Sequence, residues 1–264
     1  CLPAIDNLPP KTPVLPVDNL YSTARSMGTF YFFSEALEVS GLDYKLRNEG
    51  PFTVFAPDNG AFIEYLNENN YFDISTVPPE ELERLLLNHM IPGSIPFLEL
   101  RPEYRSSLLP AFNSDNPLSI YIGRYPQFFI NGKSELLSQN WKATNGQLYL
   151  VSELVEIPTL FDHLGSNPDL NPFLDALNRL DLKDWVLKPD QQKTLFVPTE
   201  NAFNEFLDQY PEWNTLSDVP EAVLDKILKY HILEDTNLLS IKMRNSQNLV
   251  TSNGASLGIE RDYD

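Results

Sequence analysis

Apolar and polar positions follow the same order in two distant places along the chain. Residues 51–62 read PFTVFAPDNGAF, and residues 194–203 read TLFVPTENAF. Each stretch contains a short β-branched and aromatic run, which is typical of a buried strand, and then a proline, which cannot donate to a sheet ladder. Asp58 and Thr199 come next, and both residue types cap helix N-termini. Each stretch therefore predicts a strand, a stop, a cap and a helix.

Helical periodicity surrounds both stretches. The segments 32–46 and 173–185 are amphipathic, and each predicts one helix near the start of its half of the chain. The segments 80–90 and 221–232 predict a second pair of helices. Each of these follows Val-Pro and is rich in acidic residues at its start, which suits the positive end of a helix dipole.

The first half of the chain turns to β-structure after these helices. Residues 118–122 and 128–130 have strand character, and Asn131-Gly132 is a strong hairpin signal. A second pair, Asn145-Gly146, introduces LYLVSELVEI over residues 148–157, which predicts a closing strand. Helices followed by a β-rich half indicate an α+β domain.

Three blocks recur in the same order and at nearly the same spacing, which is the signature of a tandem repeat. Pro57 aligns with Pro198 and His89 aligns with His231, while FFSEAL at 32–37 aligns with PFLDAL at 172–177. We therefore predict two homologous domains joined at Glu156-Ile157-Pro158. The domains cover residues 18–157 and 158–264, and residues 1–17 precede them.

The charge balance excludes one class of partner. The 264 residues include 19 basic and 37 acidic side chains, giving a net charge of −18. A surface this acidic repels a phosphate backbone, so we expect no nucleic-acid partner. We interpret the acidity as a source of solubility and not as a dedicated cation site. No apolar run approaches the roughly 18 residues needed to span a bilayer.

The chain has a single cysteine, Cys1, which excludes an internal disulfide and argues against a thiol-ligated metal site. Bacterial lipoproteins carry their lipid on an N-terminal cysteine, and we expect the same attachment at Cys1. The residues after it, LPAIDNLPPKTPVLP, contain five prolines and predict an extended, semi-rigid spacer over residues 1–17. The alternative is that Cys1 is an ordinary residue without lipid.

The repeated blocks resemble the fasciclin (FAS1) domain family. The resemblance rests on TVFAPDNGAF, TLFVPTENAF, the pairs Asn88-His89 and Tyr230-His231, and NGKSELLSQNWKATNGQLYLVSELV over residues 131–155. It covers residues 18–264 and implies, for each domain, a compact β-wedge flanked by helices. It also implies extracellular adhesion or surface binding without a cofactor. Tyr149 stands where the family commonly has histidine.

The second repeat is shorter than the first. A counterpart of Asn145-Gly146 would fall past Asp264, so the closing strand of the second domain is absent from this sequence. An uncovered sheet edge invites pairing with another strand. Two explanations stay open, and we expect the first: the natural chain continues past Asp264, or a partner supplies a strand.

The three histidines are His89, His163 and His231, and none forms an HExxH or HxH pattern, so we predict no metal site. We interpret His89 and His231 as structural, each donating to a backbone carbonyl, because buried polar groups are normally paired. The alternative is an adhesive surface, as the family's Tyr-His motif implies. Asn88 in place of tyrosine weakens that alternative for the first domain. His163 is expected to be an ordinary helix residue.

No GxSxG, P-loop or GxGxxG motif is present, and no carboxylate pair can be singled out for glycoside hydrolysis. We therefore predict that the protein is not an enzyme, with hydrolase as a remote alternative. The aromatic runs 29–33 and 125–129 are interpreted as core, with stacking on sugars as the alternative. Tyr125 and Phe128 flank a proline and a hairpin, so they are the expected exposed aromatic pair.

Two functional hypotheses follow. In the first, the chain is a non-catalytic, lipid-anchored cell-surface protein of a Bacteroidetes-like bacterium that binds a protein or matrix partner. In the second, it is an accessory lipoprotein of an outer-membrane nutrient-uptake complex and holds a glycan or peptide near a TonB-dependent transporter. Both place the protein on the outer membrane facing outward, with the periplasmic face as the alternative.

Overall fold

The computed structural model describes residues 18–111, 114–188, 191–239, 243–244 and 247–260. Cys1 and the predicted spacer over residues 1–17 lie outside the described residues. The chain divides into two compact units between Ile157 and Pro158, which we call domain 1 and domain 2. Both units contain helices and strands, and the predicted α+β class is confirmed.

Domain 1 places its helices early and most of its strands late. Its helices are α1 Leu20–Arg25, α2 Tyr31–Ser40, α3 Asp43–Asn48, α4 Asn59–Glu68 and α5 Pro79–Asn88. Its strands are β1 Phe52–Pro57, β2 Met90–Pro92, β3 Glu103–Pro110, β4 Pro117–Arg124, β5 Phe128–Ile130, β6 Ser134–Ala143 and β7 Gly146–Val151.

These seven strands form one sheet in the order β2-β1-β7-β6-β5-β4-β3. The pair β1 and β7 is parallel, with Phe52 opposite Gly146, and the other neighbours are antiparallel. Asn131 and Gly132 have φ values of 51° and 72° and join β5 to β6, as the hairpin signal predicts. The predicted closing strand is β7, and it lies inside the sheet beside β1.

The central strands of domain 1 are buried on both faces. Successive side chains of a strand point to opposite faces. Val54 and Leu148 accordingly belong to an apolar cluster with the helices, whereas Phe55 and Tyr149 belong to a second cluster with β4, β5 and β6. This double burial explains why β1 and β7 read as nearly continuous apolar runs.

Domain 2 repeats the helical part of this arrangement. Its helices are α6 Leu160–Ser166, α7 Asn171–Arg179, α8 Lys183–Val186, α9 Glu200–Leu207 and α10 Glu221–Tyr230. Its strands are β8 Lys193–Leu195, β9 Ile232–Glu234, β10 Gln247–Val250 and β11 Ser256–Ile259. The strands form two antiparallel pairs, β8 with β9 and β10 with β11. Within the described ranges, no helix is both long and apolar enough to cross a membrane.

The two repeated stretches, residues 51–62 and 194–203, have the same capping and strand contacts in both domains. Asp58 accepts a hydrogen bond from the N–H of Ala61 at 2.9 Å, and Thr199 accepts one from Ala202 at 3.4 Å, so both predicted caps are confirmed. The hydroxyl of Thr53 in β1 also donates to the Gly93 carbonyl at 2.7 Å. Its counterpart Thr194 in β8 donates to the Thr236 carbonyl at 2.7 Å.

Three predictions of element length are wrong. The single helix predicted over 32–46 is two helices, because Gly41 adopts φ 74° and ends α2. The helix predicted over 173–185 likewise divides into α7 and α8, with Asp181 at φ 53° between them. The strand predicted by the run Leu195-Phe196-Val197 within TLFVPTENAF ends at Leu195.

Candidate functional site

His89 is the C-cap residue of α5, and its ring is fully buried. Its Nδ1 lies 2.8 Å from the Leu85 carbonyl, and its Nε2 lies 2.8 Å from the backbone nitrogen of Val155. A carbonyl can only accept and a backbone N–H can only donate, so Nδ1 carries the proton and Nε2 accepts. Burial lowers the pKa of His89 to about 4, which keeps the ring neutral.

Asn88, the residue before His89, also bonds to residues 155–156, the segment that leaves domain 1. Its buried side-chain amide donates to the carbonyls of Val155 at 3.0 Å and Glu156 at 2.9 Å. Its Oδ1 is buried and has no hydrogen-bond partner among the described residues. Asn88 and His89 together therefore fasten residues 155–156 to the end of α5, and neither side chain is presented to solvent.

The equivalent pair of domain 2 is Tyr230 and His231. One contact of His231 is the same as in His89, but its surroundings differ. The Nδ1 of His231 donates to the Ile227 carbonyl at 2.7 Å, as His89 does to Leu85. The ring lies edge-on to Phe173 at 6.4 Å and to Tyr230 at 5.8 Å. Unlike His89, His231 is only partly buried.

A groove of about 290 Å³ lies beside this pair in domain 2. It is lined by Phe196, Tyr230, His231, Met243, Leu257, Gly258, Ile259 and Glu260. Most of these side chains are apolar. Tyr230 and His231 are therefore accessible from one side, which distinguishes them from Asn88 and His89.

Tyr149, which stands where the family commonly has histidine, is buried in the sheet of domain 1. Its hydroxyl donates to the Ile95 carbonyl at 2.8 Å, and its ring stacks on Phe55 at 6.0 Å. Burial, with a smaller contribution from the charge of Glu99, raises the pKa of Tyr149 to about 12. Tyr149 is a structural residue of the sheet and is not part of a surface.

Of the two aromatic residues expected to be exposed, Tyr125 and Phe128, the structure exposes only Tyr125. Tyr125 is 86% exposed, but Phe128 is 6% exposed, so the prediction of exposure is wrong for Phe128. The Arg124 guanidinium lies over the Phe128 ring at 5.0 Å, and Phe97 packs edge-on against it at 5.7 Å. These two neighbours shield the Phe128 ring from solvent.

Phe128 nevertheless lines a cavity that sequence reasoning missed. The cavity has a volume of about 490 Å³ and is lined by Phe97, Arg124, Pro126, Gln127, Phe128, Glu135, Leu136, Leu137, Gln139 and Leu150. Apolar walls with a few polar groups are typical of ligand pockets. The aromatic run at 125–129 was the sequence signal for this cavity. Its residues 126–128 line the cavity and do not form a flat surface for stacking on sugars.

Asn145 is a second residue whose role sequence reasoning missed. Its Oδ1 accepts from the Leu20 N–H at 2.8 Å, and its amide donates to the carbonyls of Leu46 at 2.9 Å and Glu49 at 2.7 Å. In the sequence, the pair Asn145-Gly146 predicts only a turn. In the structure it also ties the start of β7 to the helices of domain 1.

Titratable side chains do not converge on a reactive centre in the part of the chain that is described. His163 lies in α6, where burial lowers its pKa. No group of three or more His, Cys, Asp or Glu side chains among the described residues could hold a metal ion. The contacts of Asn88, His89 and Tyr149 fix backbone segments in place, and the accessible features are the groove of domain 2 and the cavity of domain 1.

Known proteins are similar to this chain in sequence. The human protein Periostin is 28% identical over 235 residues, covering 83% of this chain and 25% of its own length. Transforming growth factor-beta-induced protein ig-h3 from Sus scrofa is 27% identical over 241 residues, covering 89% of this chain and 34% of its own length. The chain thus spans about a quarter to a third of these curated relatives.

A solved structure of a FAS1 domain pair, from the insect cell adhesion molecule Fasciclin I, has the same fold. It superimposes with a TM-score of 0.52 at 17% identity, covering 90% of this chain and 85% of that chain. The family model of the Fasciclin domain matches residues 28–158 and again residues 168–264. The chain therefore belongs to the fasciclin (FAS1) domain family and carries two of its domains in tandem.

Proposed function

We propose that the protein is a non-catalytic cell-surface protein that binds a protein or matrix partner through its FAS1 domains. Two matches to the Fasciclin domain occupy most of the chain, and the similar solved domain pair comes from a cell adhesion molecule. Asn88, His89 and Asn145 bond to backbone groups of domain 1, so the proposal places binding on other, exposed residues.

The observation that carries the proposal is an exposed apolar surface on domain 1. Leu98 is 85% exposed and follows the cavity-lining Phe97, which is itself 43% exposed. Tyr125 is 86% exposed and lies between the cavity-lining residues Arg124 and Pro126. Leu98 and Tyr125 are thus both sequence neighbours of residues that line one cavity, and exposed apolar side chains beside a cavity are typical of an interaction site. Its rim cation, Arg124, adds a charge that an acidic partner group would pair with.

A lipid on Cys1 is the proposed anchor. The support is the sequence of residues 1–17, a single cysteine followed by five prolines, whose composition suits an anchor atom and a spacer. Each buried CH₂ of an acyl chain adds about 0.8 kcal/mol to membrane binding, so several chains on one cysteine hold firmly. In the host cell, we expect the native protein in the membrane fraction and a Cys1→Ser form in the soluble fraction. Equal partitioning of the two forms would contradict the anchor.

The alternative function is that of an accessory lipoprotein in outer-membrane nutrient uptake. The observation that favours it is the cavity of about 490 Å³, which lies in the size range of small-ligand pockets. Its wall offers aromatic faces and the amide groups of Gln127 and Gln139, a combination that suits a sugar or a short peptide. A transporter gene beside the gene of this protein would favour this alternative over adhesion.

The surface on domain 1 can be tested directly. Beads that carry the full chain are allowed to settle on a layer of reconstituted extracellular matrix, and the force needed to detach them is measured. We expect a Leu98→Ala/Tyr125→Ala double variant to lose several-fold in attachment. Tyr44→Ala is the matched control, because Tyr44 is 67% exposed and does not line the cavity.

Equal attachment of all three forms would overturn the assignment of this surface. Attachment no stronger than to an albumin layer would overturn adhesion to matrix as the function. Activity against esters, peptides or glycosides that disappears on a single carboxylate or histidine substitution would overturn the non-catalytic proposal.

A further inference from the structure

The cavity of about 490 Å³ in domain 1 lies where β6 departs from regular pairing. The register between β6 and β7 shifts between Leu136 and Asn140, so three residues of β6, 137–139, stand opposite the single residue Leu150 of β7. Extra residues of this kind bend a strand and redirect its side chains, and such bulges often lie beside active sites. The first and last of the three residues line the cavity together with Leu150, so the bulge forms part of the wall.

Most of this wall is apolar. The apolar lining residues are Phe97, Pro126, Phe128, Leu136, Leu137 and Leu150. Three of them, Phe128, Leu136 and Leu150, belong to the buried clusters of domain 1, which hold their surfaces in place. The uncharged polar side chains of the wall are Gln127 and Gln139. A sugar carries hydroxyl groups around its whole ring and would leave many of them unpaired here, whereas apolar side chains gain free energy by burial.

Two opposite charges also line the cavity. Arg124 is the last residue of β4, and Glu135 lies in β6. The Arg124 guanidinium lies over the Phe128 ring at 5.0 Å, which restricts its position. Within the described ranges, neither Arg124 nor Glu135 takes part in an ion pair. A guanidinium and a carboxylate that line one cavity are complementary to a ligand that carries both a carboxylate and an ammonium group.

The spacing of the two charged residues indicates the length of such a ligand. Strands β4 and β6 are the two neighbours of β5. Adjacent strands lie about 4.8 Å apart, so the backbones of Arg124 and Glu135 are about 10 Å apart across the sheet. An extended peptide spans at most about 3.5 Å per residue, so about three residues cover this distance.

We propose that the cavity binds a short apolar peptide by its two free ends. The C-terminal carboxylate of the peptide pairs with Arg124, and its N-terminal ammonium group pairs with Glu135. Its apolar side chains pack on Phe128 and its neighbours in the wall, and its peptide groups pair with the amides of Gln127 and Gln139. A segment within a longer protein chain, including this one, carries at most one of the two terminal charges. The site therefore selects free peptides over protein segments.

This inference names the ligand class for the uptake function given above as the alternative, and it rests on that alternative. The probe is the tripeptide Leu-Leu-Leu, titrated into the full 264-residue chain and followed by isothermal titration calorimetry. We expect saturable binding of the free tripeptide. The N-acetylated tripeptide lacks the ammonium group and the C-terminal amide lacks the carboxylate, so we expect each to bind about ten-fold more weakly.

Two variants assign the two ends of the peptide. On Arg124→Gln, the free acid and the amide should bind equally, while the free amine should still bind about ten-fold more tightly than the acetylated form. On Glu135→Gln, the opposite pattern is expected. An unfolded variant would bind none of the peptides, so it cannot imitate this reciprocal pattern. Arg84→Gln and Glu83→Gln are the matched controls, because both residues are exposed on α5 and do not line the cavity.

Equal binding of the three peptides to the wild-type chain would overturn the proposal, and so would an absence of binding by the free tripeptide. Binding of maltotriose without binding of the tripeptide would assign the cavity to a sugar instead. None of these measurements needs a transporter or a matrix layer. A missing transporter gene would therefore remove the uptake function and leave peptide binding intact, so that the two failures are distinguishable.

Discussion

The Nε2 atom of His89 accepts a 2.8 Å hydrogen bond from the backbone N–H of Val155, while its Nδ1 donates to Leu85. The ring thereby joins the end of α5 to the segment that leaves domain 1. His231 makes the equivalent bond to the Ile227 carbonyl and is one of the residues that line a groove. Histidine at equivalent positions of the two repeats thus has two roles. It fastens a backbone segment in domain 1 and lines a groove in domain 2.

Replacing His89 by alanine is expected to destabilise domain 1 by about 3 kcal/mol. The change leaves a cavity and strips two buried backbone groups of their partner. His231→Ala is the matched variant, and it should lower the stability of domain 2 by only about 1 kcal/mol, because it breaks a single bond at a partly open site. Urea unfolding is followed by fluorescence in forms that keep either Trp141, which lies in domain 1, or Trp185 and Trp213, which lie in domain 2. Equal losses of stability in the two domains would contradict the role of His89 in fastening residues 155–156 to the end of α5.

The stability of domain 1 is expected to fall as the pH is lowered from 6.5 toward 4. Burial lowers the folded pKa of His89 to about 4, below the ordinary histidine value of 6.5, so the unfolded chain takes up the proton first in this window. The stabilisation is fully present above pH 6.5, and about 2 to 3 kcal/mol of it is lost by pH 4.5. Urea midpoints of wild type and His89→Asn at pH 7.5 and 4.5 isolate this effect from that of the carboxylates. An identical pH dependence in both proteins would disprove it.

Replacing Gly146 by alanine is expected to disrupt domain 1. The residue has φ 156°, and a Cβ atom there would lie 1.9 Å from the carbonyl oxygen of Phe52 on the neighbouring strand. We expect a loss of about 3 kcal/mol or more, measured as a fall in the thermal midpoint of domain 1. Gly28→Ala is the control, because a Cβ at Gly28 meets nothing within 4 Å. An unchanged midpoint for Gly146→Ala would show that β1 and β7 are not this close.

Asn145→Ala is expected to destabilise domain 1 by about 2 to 4 kcal/mol. The side chain makes three hydrogen bonds, to Leu20, Leu46 and Glu49, and their backbone partners lose them together. Asn140→Ala removes the same side chain from an exposed position in β6, so a change within about 0.5 kcal/mol is expected there. Chemical denaturation of both variants is followed by fluorescence in a form that keeps Trp141 alone. Similar values for the two would mean that Asn145 acts only as a turn residue.

Local signals in the sequence predicted local structure well. The caps at Asp58 and Thr199 and the hairpin at Asn131-Gly132 each depend on a few adjacent residues, and the structure has all of them. The break at Gly41 was equally readable, because glycine after an amphipathic stretch is a common helix end. It was missed because the apolar periodicity continues through it.

Contacts between distant residues could not be read from the sequence. The histidine signal suggested a backbone carbonyl partner for His89, and Leu85 is that partner, but nothing identified Val155 as the second. The burial of Phe128 has the same origin, since it depends on Phe97 approaching from a separate segment. The domain 1 cavity and the domain 2 groove both require the three-dimensional arrangement of several strands.

The parallel pairing of β1 with β7 has a consequence for how the protein is made. The ribosome releases the chain from its N-terminus, so β1 leaves the tunnel nearly a hundred residues before the strand that lies beside it. The last strand of the domain to be synthesised is the third in the order of the sheet, and it must enter between two strands that were made earlier. Long-range parallel pairing of this kind is slow to form. A nascent domain 1 therefore stays open along its middle until its translation is almost finished, and it depends on protection from aggregation during that interval.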